Sequence, residues 1–73
     1  MRTIGQNIRA LRQERGWSTY KLAAESGVPS GSICKYENGK MLPGVLNAIA
    51  LADAFSISLD ELVGRRWKND WSR

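Results

Sequence analysis

The sequence has no histidine and a single cysteine, Cys34, in 73 residues. No intrachain disulfide can form and no familiar zinc site has its ligands, so neither a disulfide scaffold nor a bound metal is expected. Apolar runs are short: none approaches the roughly 18 residues that span a bilayer, and the first residues carry no signal-peptide segment. A cytoplasmic protein without membrane contact is the expectation. β-branched residues are few and the apolar positions recur at helical intervals, which argues against a strand-built fold and for an all-α bundle. Catalytic constellations are missing too: there is no histidine base, no pair of carboxylates on one face and no phosphate-cradling glycine loop. The chain reads as a non-enzyme without a cofactor. At this length a domain buries only about 60% of the surface its unfolded chain exposes, so the core has to be small and locally built.

What is present is positive charge, unevenly placed. The net charge is +4, from 11 basic and 7 acidic residues. Residues 1–40 hold seven basic side chains (Arg2, Arg9, Arg12, Arg15, Lys21, Lys35, Lys40) against Glu14, Glu25 and Glu37. Residues 41–64 carry Asp53, Asp60 and Glu61 and no base, and the last nine residues are basic again. A field of this sign over one half of a small domain fits a polyanionic partner, because Lys and Arg neutralising phosphates supply most sequence-independent nucleic-acid affinity.

Local signals divide the chain into five helices. Thr3 with Gln6 forms a capping box ahead of Ile4, Ile8 and Leu11, a helical stripe that Gly16 ends. Arg9 and Arg15 fall on its wetter side, and Trp17 is expected to plug the core. Ser18 caps a second helix to about Ser26, with Leu22 and Ala23 inward, and Gly27 can take the positive φ that turns the chain sharply. Pro29 suits the start of a third helix, running to Asn38 before Gly39. Ile33 and Tyr36, three apart, share its buried face, leaving Ser30, Gly31, Cys34 and Lys35 toward the other. Pro43 and Gly44 open a fourth helix with an expected inward stripe of Leu46, Ile49, Leu51, Ala52 and Phe55. Ser58 with Glu61 is a second capping box, starting a short fifth helix of Leu59, Leu62 and Val63. The expected division is a domain over residues 1–64 and a basic, tryptophan-containing tail over residues 65–73. If that tail is helical, Trp67 and Trp71 stack one turn apart and cover either the domain's own core edge or a second subunit; both remain open.

Two short helices joined by a glycine turn, Leu22-Ala23 to Gly27-Val28 to Ile33, are the layout of a helix-turn-helix. Ile8-Arg9-Ala10-Leu11-Arg12 with Gly16-Trp17-Ser18 precedes them. Tyr36-Glu37-Asn38-Gly39-Lys40, Pro43, Ala52-Asp53-Ala54-Phe55 and Ser58-Leu59-Asp60-Glu61-Leu62 follow in order. With these motifs the chain, from Ile4 to about Val63, resembles the lambda-repressor-like, or Xre/Cro-type, helix-turn-helix family. The resemblance implies a compact five-helix DNA-binding domain with its helix-turn-helix at helices two and three. It also implies an ion pair between Arg12 and Glu37 that orients the recognition helix without touching DNA.

In this motif the start of helix three enters the major groove, and side chains there reach base edges while others hold phosphates. The matching positions here are Ser30, Gly31, Ser32 and Lys35 for bases; a Lys in the groove can donate to guanine O6 and N7. Phosphate contacts fall to Thr19, whose hydroxyl joins the helix N-terminal amides, and to Lys21, Asn38, Lys40 and Arg9. Arg65 and Arg66 read as solvated tail. Relatives often carry longer side chains where this chain has Ser30 and Gly31, and Gln where it has Thr19, so direct base reading leans on DNA shape, water and close backbone approach. Cys34 has no histidine partner and reads as a helical filler, not a redox switch.

The function implied is sequence-specific double-stranded DNA binding by a small, bacterial or phage-encoded transcriptional regulator, a repressor, with no domain for a small-molecule effector. A single domain makes few base contacts, so a homodimer on a pseudo-palindromic operator is expected, with Leu59, Trp67 and Trp71 at the dimer surface. The rival reading is an antitoxin-like or regulatory protein-interaction module that keeps the fold and binds DNA weakly; the short recognition side chains favour it and the basic first half opposes it.

Overall fold

The computed structural model describes residues 3–64. Five helices follow one another: α1 (Ile4–Glu14), α2 (Thr19–Ser26), α3 (Ser30–Glu37), α4 (Val45–Phe55) and α5 (Leu59–Val63), with no strand among the described residues. The expected tail of residues 65–73, with Trp67 and Trp71, lies outside the described residues.

Each start has a local cause. Thr3 Oγ1 accepts from the Gln6 N–H at 3.1 Å while Gln6 Oε1 accepts from the Thr3 N–H at 3.0 Å, so two of the donors left over at the head of α1 are satisfied reciprocally. Ser58 and Glu61 repeat the arrangement at α5, both bonds 3.1 Å. Ser18 Oγ accepts from the Lys21 N–H at the head of α2. Helix α1 ends when Trp17 N–H bonds Arg12 O and Gly16 N–H bonds Gln13 O, both at 3.0 Å, the two reverse bonds of a Schellman motif. Pro29 takes the N-cap position of α3 and Asn38 its C-cap, one residue outside the helix at each end.

The core is Ile8, Leu22, Val28, Ile33, Tyr36, Ala48, Leu51, Ala52, Phe55 and Leu62. Half-buried Trp17 closes one side by stacking on Phe55, ring centroids 5.8 Å apart and planes 17° apart. Arg15 does more than face water. Its guanidinium lies 4.9 Å over the Phe55 ring and donates to Phe55 O at 2.7 Å, so an arginine after α1 fastens the end of α4.

The expected inward stripe of α4 needs correction. Leu46 is 81% exposed and Ile49 41%, whereas Ala48, Leu51, Ala52 and Phe55 face inward. At about 100° per residue, nine residues bring Phe55 to the face opposite Leu46, so one straight helix cannot bury both against the same core. The spacing 48, 51, 52, 55 is the stripe a helix can present.

Two α1 residues make long-range contacts that fix its packing. Gly5 meets the end of α3 with its backbone: a Cβ there would overlap the Tyr36 carbonyl oxygen and lie 3.0 Å from the carbonyl carbon. Asn7, buried, donates from Nδ2 to Leu62 O at 3.1 Å, joining α1 to α5.

Candidate nucleic-acid interface

The turn between α2 and α3 is built by three residues. Gly27 has φ 79° and its N–H bonds Ala23 O. Ser26 Oγ donates to Leu22 O at 2.8 Å and accepts from the Val28 N–H at 3.1 Å, so one hydroxyl bridges the end of α2 and the turn. Val28 buries its side chain in the core. With the turn fixed, Ile33 N–H bonds Pro29 O and α3 begins.

Helix α3 is held on its inner side by several elements. Ile33 and Tyr36 enter the core. The Tyr36 hydroxyl accepts from Asn47 Nδ2 on α4 at 2.9 Å. Gly5 of α1 lets the helices touch backbone to backbone at Tyr36 and Glu37. Arg12 of α1 then grips the last residue of the helix: Nε donates to Glu37 Oε2 at 2.8 Å and Nη2 to Oε1 at 3.0 Å, a bidentate pair, while Nη1 donates to Trp17 O at 2.8 Å. The Glu37 side chain is only 6% exposed and that of Arg12 13%. The hydrogen bond to Glu37 raises the Arg12 pKa above its already high ordinary value, so the guanidinium remains charged at any pH at which the fold survives.

The outer side carries a different set. Gly31, Cys34, Lys35 and Asn38 are exposed, and their spacing of three, four and seven puts them on one stripe. Ser30 and Ser32 are half-buried on its flanks. Past the helix, Lys40 N–H bonds Lys35 O at 2.9 Å and Gly39 N–H bonds Tyr36 O at 3.2 Å, a second Schellman motif that leaves Lys40 exposed at the rim.

The remaining basic groups differ in availability. Arg9 is 56% exposed and its Nε lies 3.9 Å from Glu37 Oε1, at the edge of the Arg12 pair. Lys21 pairs with Glu25 one turn on, at 3.1 Å, with both side chains about half exposed. Such a pair is worth little and yields readily to a competing anion. Thr19 is half-buried in the first turn of α2, beside the cap. Neither α2 nor α3 has an acidic residue in its first turn, so nothing there opposes an anion. Sequence reasoning missed Gly5, Asn7, Ser26 and Asn47 as the residues that hold this surface in place.

An exposed, basic-edged helix pinned on its inner face by a preceding helix and a glycine turn defines a helix-turn-helix protein. The helix-turn-helix family model matches residues 8–62. The chain belongs to this family, in its lambda-repressor-like branch. It is 46% identical over 50 residues to the cryptic phage CTXphi transcriptional repressor RstR of Vibrio cholerae, covering 68% of this chain and 44% of that protein. It is 38% identical over 64 residues to the repressor RghR of Bacillus subtilis, covering 86% of this chain and 47% of that protein. The chain thus spans a little under half the length of these relatives. Among solved structures it superposes on the P22 c2 repressor in complex with a synthetic operator, with TM-score 0.80, 28% identity, and coverage of 86% of this chain and 96% of that one. The five helices have the lambda-repressor-like fold. No helix among the described residues is long and apolar enough to cross a membrane.

Proposed function

We propose that this chain is a sequence-specific double-stranded DNA-binding regulator, a transcriptional repressor, that presents α3 to the major groove as a homodimer on a pseudo-palindromic operator. The observation that carries the reading is the outer stripe of α3, Gly31, Cys34, Lys35 and Asn38, held out by a helix whose inner side is fixed on three elements. Lys35 reads a base edge, with Ser30, Gly31 and Ser32 bringing backbone and short hydroxyls close. Lys40, Asn38, Thr19, Arg9 and Lys21 hold phosphates on either side. Arg12 and Glu37 position the helix. Similarity to two proteins named as repressors, and to one solved on its operator, supports the same reading. A protein acting on DNA in this way works in the cytoplasm of a bacterial cell and needs no catalytic group.

Fluorescence anisotropy tests it, with a duplex from upstream of the protein's own gene and a scrambled duplex, at low and moderate salt. The upstream duplex should bind more tightly and keep binding at moderate salt, with two chains per site. Lys35→Ala should cost about 1–3 kcal/mol on the upstream duplex alone, whereas Lys40→Ala should weaken both duplexes alike and flatten the salt dependence. Equal, weak binding to both duplexes that disappears with salt overturns the proposal.

A further inference from the structure

The linker after α3 and the first turns of α4 carry an unusual surface. Leu42 is 77% exposed, Val45 70%, Leu46 81%, and Met41 and Ile49 about 40% each. Apart from these five, only Tyr20 and Leu59 are large exposed apolar residues among the described ones. From Met41 to Ala52 there is no charged side chain. Val45, Leu46 and Ile49 lie together on one side of α4, Leu46 opposite the core stripe and Val45 and Ile49 beside it, with Leu42 on the linker just before. The exposed parts of these side chains amount to roughly 500 Å² of apolar surface, at the upper end of what a soluble monomer leaves uncovered.

We propose that this surface is where a second copy of the chain docks, by a two-fold contact of Leu42, Val45, Leu46 and Ile49 with the same residues of the partner. The inference deepens the homodimer reading above and rests on it. Three features select a second copy as the occupant. A two-fold contact requires a surface complementary to itself, and a wholly apolar patch meets that condition. Two copies each carrying +4 repel over most of their surfaces, and residues 41–52 can meet without setting like charges face to face. Even if contact covered the whole patch, twice roughly 500 Å² only reaches the roughly 1,000 Å² at which specific interfaces begin, so the dimer is marginal in free solution and is completed when two half-sites hold both copies on one duplex. The patch contains no residue of α3, so docking there leaves Gly31, Lys35 and Asn38 open. Helix α5 is a poorer candidate among the described residues: Leu59 is 40% exposed and is followed by Asp60 and Glu61, which a symmetric contact would bring near their own copies.

Sedimentation velocity over micromolar to submillimolar concentrations, with and without the upstream duplex, tests the assignment on the wild type, Leu46→Glu and Leu59→Glu. The two variants add the same charge, and both positions are exposed, so circular dichroism should show both folded. The wild type and Leu59→Glu should move from 8.2 kDa toward twice that mass, while Leu46→Glu stays monomeric. Leu46→Glu should also lose about a hundredfold in affinity for the upstream duplex relative to Leu59→Glu. A Leu46→Glu protein that still dimerises, a dimer lost only in Leu59→Glu, or a wild type monomeric both free and on DNA overturns the assignment; in each case discrimination between duplexes reports separately on the regulator reading. If Leu46 controls dimerisation and neither duplex is preferred, the docking surface stands and the regulator reading fails.

Discussion

Replacing Glu37 by Gln should destabilise the domain by about 3 kcal/mol, far more than its place at a helix end suggests. The side chain keeps its shape and loses its charge. In the native domain both carboxylate oxygens accept from Arg12, at 2.8 and 3.0 Å, and the carboxylate is 6% exposed. The amide offers one acceptor and turns its NH₂ toward the guanidinium. Arg12 cannot leave easily, because Nη1 is held by Trp17 O at 2.8 Å. Removing one partner of a buried pair costs about 3–5 kcal/mol through the charge left behind; the lower end applies here because Arg12 retains 13% exposure and one acceptor. In a domain of this size that lowers the melting temperature by about 12 °C or more. Thermal and urea unfolding followed by circular dichroism read it directly. A double replacement of Arg12 by Met and Glu37 by Leu should recover much of the loss, since the penalty belongs to the stranded charge and not to the missing attraction. A loss below about 1 kcal/mol, the worth of an exposed pair, refutes the reasoning.

Other substitutions separate packing from the outer surface. Gly5→Ala should destabilise by about 1–3 kcal/mol or more, since the new methyl meets the Tyr36 backbone and not a side chain that could swing away; urea unfolding measures it, and a neutral result means that α1 and α3 can separate without cost. Gly31→Ala has open space around it and should raise fold stability by up to about 1 kcal/mol through helix propensity, while the added methyl lowers affinity for the upstream duplex in anisotropy. Asn7→Ala leaves the Leu62 carbonyl without its buried donor and should cost about 1–3 kcal/mol in urea unfolding; a loss below about 0.5 kcal/mol would show that water replaces the amide.

Features of the fold written within a few residues could be read in advance, and features that need two distant segments could not. Thr3 with Gln6, Ser18, Gly27 and Ser58 with Glu61 each act on backbone no more than four residues away. Together with Pro29, Gly39, Pro43 and Gly44 they locate the five helices to within a residue or two. The partner of Asn7 is 55 residues along and that of Arg15 is 40, and nothing about an isolated Asn or Arg names a distant carbonyl. Gly5 looked like any helical glycine because its reason, the Tyr36 backbone, lies in another helix. The Arg12 and Glu37 pairing came from family resemblance and not from the residues, whose separation of 25 carries no periodic signal. Hydropathy places Leu46 and Ile49 inward because it reports that a side chain avoids water, not what covers it.

The split between an anchored inner face and a short-chained outer face has its own consequence for DNA reading. A long Arg or Gln on a recognition helix can re-aim through its own torsions when the helix moves. Ser30, Gly31 and Ser32 cannot, so whatever they contribute to reading bases depends on the α3 backbone being held at one distance from the groove. The phosphate contacts proposed for Lys40 and Arg9 would tolerate such movement, because a flexible ammonium or guanidinium finds a neighbouring oxygen and the electrostatic term falls off slowly. Under the proposed reading, loosening the Arg12 and Glu37 pair should therefore reduce discrimination between the upstream and scrambled duplexes by a larger factor than it reduces affinity for the scrambled one. Glu37→Gln also raises the net charge from +4 to +5, which by itself favours non-specific binding and pushes in the same direction. Glu14→Gln makes the same charge change at an exposed position on α1, away from α3 and from the basic groups proposed to hold phosphates, and subtracting its effect isolates the contribution of position. If the two variants lose discrimination equally, charge and not helix placement governs specificity.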